Sequence, residues 1–202
     1  MRVDGVWYRG VFNKMMVHRQ LSLFEQHIEA GAKHQAPGGK STATKSRRAS
    51  RGIPTNLTLR RQFFARIVDH EKKRYQISIR KWRSTMSGVA YELHYSNGQV
   101  KRMVAAPRPK SPISCAIFLH EVGHHAIGFR KFRPRCLEEF HVWQWAFAEM
   151  RRCNITVDQR VLQHYQRSMY HYVQLARKRG LKHLPEILRQ FQHGPTATAS
   201  AT

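Results

Sequence analysis

The chain has 202 residues, with 36 Lys and Arg against 12 Asp and Glu, a formal charge of +24 and a hydrophobic content of 41%. This length suits one domain of ordinary size with appendages, and the charge attracts polyanions without itself showing a nucleic-acid function. Three cysteines without CxxC spacing argue against a disulfide framework, and neither a secretory h-region nor a run of ~18 apolar residues is present. The expectation is a soluble, cytoplasmic protein with no membrane span.

Residues 11–30 carry Leu21, Phe24 and Ile28 at helical spacing before Gly31, so 1–31 reads as an N-terminal helical segment. Residues 32–56 are rich in Gly, Ser, Thr, Ala and basic side chains and read as a flexible basic linker. No acid occurs between Glu29 and Asp69, which makes the linker the candidate contact for nucleic acid; a solvated tail is the simpler alternative.

Residues 57–193 form the expected folded domain. "LTLRRQFFARIVDHEKK" predicts a helix, with Phe63, Phe64, Ile67 and Val68 on one side. "RYQISIRKW" alternates as a strand, and "VAYELHYSNGQVKRMVA" predicts a hairpin, with Asn97-Gly98 supplying positive φ. After a proline-punctuated loop come three helices, in "CAIFLHEVGHHAIGF", "RCLEEFHVWQWAFAEMRR" and "TVDQRVLQHYQRSMYHYVQLARKR". A short helix near 184–192 and a disordered tail, 194–202, complete an α+β order built on a small antiparallel sheet.

"HEVGH" is an HExxH pattern. On a helix His120 and His124 stand one turn apart, so two imidazoles can bind one zinc ion while Glu121 sits beside the fourth position. The helix is apolar on every other face, hence buried, and buried imidazoles need partners. In HExxHxxGxxH a third ligand would fall at position 130, which is Arg130, so that class is excluded. The next helix offers Glu138, Glu139 and His141. Glu139 leads an apolar stripe through Val142, Trp143, Ala146 and Met150, whereas Glu138 and His141 belong to a polar stripe with Trp145, Glu149 and Arg152. A ligand facing the buried helix belongs to the first stripe, so Glu139 is the candidate. Trp143, Phe147 and Met150 read as core, His125 as flanking the site, and the cysteines as inert.

"HEVGHH" followed by "EFHVWQWA" resembles the gluzincin-type zincin metallopeptidases, particularly the small ImmA/IrrE-like group, over about residues 75–150. The resemblance implies a zincin-like core and zinc held by His120, His124 and Glu139. It implies a peptide or protein substrate, with Glu121 as the catalytic general base acting on a metal-activated water. An oxyanion donor is expected from Tyr165, His164 or Tyr170. Val142 stands where the family has a small alanine. Two other readings compete. One is a nucleic-acid-associated protease similar to the SprT-like group, with His141 as third ligand. The other is a non-enzymatic basic nucleic-acid-binding protein with a structural zinc, which needs a fourth protein ligand.

Overall fold

A computed structural model describes strand backbone at residues 2–3 and 6–10 and the continuous chain from 52 to 194. The helix expected over 11–30, nearly all of the linker expected over 32–56 and the tail beyond 194 lie outside the described residues. The described part of the N-terminal segment is strand rather than helix: β1 (Arg2–Val3) and β2 (Val6–Gly10) pair antiparallel.

Helix α1 (Leu57–Tyr75) begins where the Asn56 side chain accepts from the Thr58 and Leu59 N–H groups, at 2.9 and 3.2 Å. It ends with Gln76 in the left-handed region and with Lys72, Lys73 and Arg74 in its last turn, where cations complement the helix dipole. Its inward face buries Phe64, Ile67 and Val68.

Strands β3 (Ile77–Arg83), β4 (Val89–His94) and β5 (Val100–Pro107) follow, and the five strands lie in the order β1-β2-β4-β5-β3. β4 and β5 are antiparallel, but β3 runs parallel to β5, so the sheet is mixed rather than antiparallel throughout. The cause is connectivity. The segment between β3 and β4 passes over the end of β5 instead of turning back as a hairpin, and it delivers β4 to the far side. The β4–β5 hairpin closes with Tyr95 and Gln99 paired and the Gly98 N–H donating to the Tyr95 carbonyl. Among the turn residues only Gly98 has positive φ, so this is a three-residue turn with a glycine bulge and Asn97 stays in the ordinary region.

One face of the sheet carries the helices. α2 (Pro112–Ile127) starts at a reciprocal cap between Ser111 and Ser114, with Pro112 at its first position. Every residue from Ser114 to His125 is buried, as expected of a helix apolar all round. α3 (Arg135–Arg152) packs along it, followed by α4 (Gln159–Lys178), capped by Asp158, and a 3-10 helix (Glu186–Phe191) that lies on α4. The core lies between sheet and helices and includes Phe118, Leu119, Trp143, Phe147 and Met169. Among the described residues no helix is long and apolar enough to cross a membrane.

Gly123 sets the α2–α3 approach. A Cβ there would lie 2.9 Å from the Trp145 ring and 3.0 Å from a Val142 methyl. The larger side chain at 142 is therefore accommodated by the missing one at 123, across the helix pair.

Candidate metal centre

His120 and His124 project from successive turns of α2 and Glu139 from the first turns of α3, all buried. His120 Nε2 lies 3.1 Å from Glu139 Oε2 and His124 Nε2 lies 3.7 Å from Oε1. The three ligand atoms all fall within 4.8 Å of one another, and among the described residues this is the one group of its kind. Trp143 lies against the His120 ring at 4.3 Å, and Phe129 stacks on His124 at 5.8 Å, so both rings are held by packing.

The charges fit a cation. Burial holds the His124 imidazole down at about 3, leaving it neutral with a lone pair to donate. Burial opposes ionisation of Glu139, but the hydrogen bond with His120 and the Arg135 guanidinium outweigh it and hold the carboxyl below its usual range. Arg135 reaches back one turn to grip Oε1 with Nε at 2.8 Å and Nη2 at 2.6 Å, which leaves Oε2 facing His120. The Nδ1 atoms of both imidazoles are buried without a partner. Two imidazoles and one carboxylate converging in a buried site are a donor set for a divalent metal ion.

Glu121 lies outside that triangle but in the same cleft, 6% exposed. Burial, and then the Glu139 charge, push its carboxyl well above the usual range, while the Ala90 N–H donates to it. Gly88 presses on it so closely that a Cβ there would stand 2.3 Å from Glu121 Cγ. The cleft is completed by Met86 and Ser87 from the β3–β4 connection, by Ile117, and by His164, Ser168 and Tyr172 from α4. Its volume of about 20 Å³ is room for roughly one water molecule.

Of the three expected oxyanion donors only His164 lines the cleft. Tyr165 is buried in the core, where the Gln144 amide donates to its hydroxyl, and Tyr170 lies beside Gly194. Tyr172 was missed, although 164, 168 and 172 are successive turns of one α4 face and the amphipathic pattern carried that signal. Burial and the neighbouring Glu139 raise its pKa, so it remains an O–H donor.

The polar stripe assigned to Glu138, His141 and Glu149 does not face solvent as a whole. Glu138 and Glu149 are both buried. Glu138 pairs with Arg135 at 3.2 Å, and Glu149 is held by Arg74 at 2.9 Å and Arg152 at 2.5 Å. His141 is half-buried against Phe132, with ring centroids 4.0 Å apart, and takes no part in the metal group. His125 donates from Nε2 to the Met103 carbonyl at 3.1 Å and so ties α2 to β5. Burial raises the thiols of Cys115, Cys136 and Cys153, which disfavours the nucleophilic thiolate.

Comparison of the chain with protein-family models, curated proteins and solved structures finds no match.

Proposed function

We propose that the chain is a zinc-dependent metallopeptidase of gluzincin type. The observation that carries this reading is the convergence of His120, His124 and Glu139 in one buried group with Glu121 in the same cleft. His120, His124 and Glu139 would hold the ion, and zinc bound there would supply a Lewis acid and a water acidified towards pKa ~7. Glu121, its carboxyl raised by burial, stands in the same cleft, where its carboxylate would accept a proton from such a water and pass it to the departing amine. His164 offers an N–H to negative charge developing across the cleft, while the Tyr172 hydroxyl donates to Glu139. Met86, Ser87 and Gly88, in the strap at residues 84–88 between β3 and β4, line the cleft, and a peptide would have to displace that strap to reach the ligands.

The group contributes three protein ligands among the described residues, which leaves a position for water and favours catalysis over a closed structural site. The His141 alternative draws no support from geometry, because that ring packs on Phe132. The decisive experiment is metal analysis and peptide hydrolysis by the Glu121→Gln variant. It should retain about one zinc per chain, like wild type, and lose hydrolysis of unfolded protein substrates. Loss of the metal with the carboxylate would remove the assigned division of roles.

A further inference from the structure

The acid-free stretches of the folded domain converge in space. No Asp or Glu occurs between Glu121 and Glu138, or between Asp158 and Glu186. The first stretch contains Arg130, Lys131 and Arg133 in the α2–α3 loop, all exposed, and then Arg135. The second ends in Arg177, Lys178, Arg179 and Lys182, also exposed. These two runs are distant in sequence, yet they meet around a cavity of about 330 Å³ lined by Pro134, Arg135, Tyr172, Arg179 and Leu181 among others.

The acids at this end do not cancel the cations at the surface. Glu138 and Glu139 are fully buried and spent on Arg135 from the inner side. Glu186, the nearest exposed acid in sequence, pairs with Arg189 at 2.9 Å. A concavity large enough for a phosphate and its sugar, with Arg179 and Arg135 in its lining beside Leu175 and Leu181, and with exposed Lys and Arg adjoining it in both chain segments, has the chemistry of a phosphodiester contact. A small carboxylate would use only the two arginines at the cavity. The flanking cations from both runs extend the positive surface beyond it, as a polyanion requires.

We propose that the end of the domain where α3 begins and α4 terminates is a nucleic-acid backbone interface, distinct from the linker. The test uses the full chain and a fluorescein-labelled DNA duplex titrated across a range of salt. Lys178→Glu, Arg179→Glu and Lys182→Glu together should weaken binding about 10-fold or more and reduce the salt slope by about 2. A control with the same charge change on the exposed face of α1, Arg61→Glu, Arg66→Glu and Lys73→Glu, should weaken it by less than about 3-fold. On the unaltered protein, bound DNA should protect Lys178 and Lys182 from acetylation and leave Lys73 reactive. Equal weakening by both triple variants would show attraction by net charge alone and overturn the proposal. So would uniform lysine reactivity, or a patch variant that loses binding to anionic vesicles while keeping its affinity for DNA.

Discussion

At the scale of single residues, Glu139 carries the most consequence. It is a fully buried carboxylate that divides its oxygens between an arginine and an imidazole. Glu139→Ala should lower zinc affinity by about 10-fold or more, whereas His141→Ala should leave it unchanged. Zinc retained after dialysis against a weak chelator measures both, and loss from His141→Ala alone would transfer the third ligand to that residue. Glu138→Ala should retain zinc but melt at lower temperature, since it leaves Arg135 with one buried counter-charge instead of two. The HExxH pair and Glu139 were legible in the sequence because helical periodicity puts His120 and His124 on one face of α2 and Glu139 at the head of the apolar stripe of α3. The burial of Glu138 and Glu149 was not. Their compensating partners, Arg135 and Arg74, lie respectively one turn away and 75 residues away, and only folding pairs them.

At the scale of elements, the helix pair and the strap over the cleft each make a testable case. Gly123→Ala places a methyl against Trp145 and Val142 and should destabilise the protein by about 1–3 kcal/mol, read as a lower melting temperature. Val142→Ala in the same chain should restore part of the loss, and no recovery would mean that the Trp145 ring alone sets the spacing. Gly88→Ala meets Glu121, so the strap must lift or the carboxylate must yield. A lifted strap should release zinc to a chelator several-fold faster than wild type, a rate that can be followed without any peptidase assay. The existence of each helix was readable from its apolar period, but the starts were not: Pro112, expected in the loop, opens α2 under the Ser111 cap, and Asp158, expected inside the last long helix, caps α4. The parallel β3–β5 pairing was not readable either, since alternation gives the faces of a strand and says nothing about its neighbour.

For the whole molecule, acid sensitivity follows from its buried imidazoles. Burial lowers His124 from 6.5 to about 3, and His125 and His164 from 6.5 to about 4. The unfolded chain therefore takes up protons first, and stability is complete above pH 6.5 and falls as pH drops from there towards 4. The melting temperature of metal-free protein should decline across that window, and His164→Gln should make the decline shallower. The raised Glu121 carboxyl works against that decline, so the comparison of the two profiles decides: identical profiles for wild type and His164→Gln would contradict the burial of that ring. The α+β order was legible from the succession of periodic segments. The layering that places His164 and Tyr172 over the cleft arises only when α4 folds back across α2 and α3.

Glu139 reaches from α3 to two imidazoles of α2, so an ion seated among them fastens together segments that the unfolded chain holds apart. Ligand binding confined to the native state adds about 4 kcal/mol when free metal exceeds the dissociation constant 1,000-fold. That amount is comparable to the whole stability of many small domains. The lifetime of the folded chain would then rise and fall with the supply of free zinc, and starvation for the ion would be felt as proteolytic turnover before it was felt as slower chemistry.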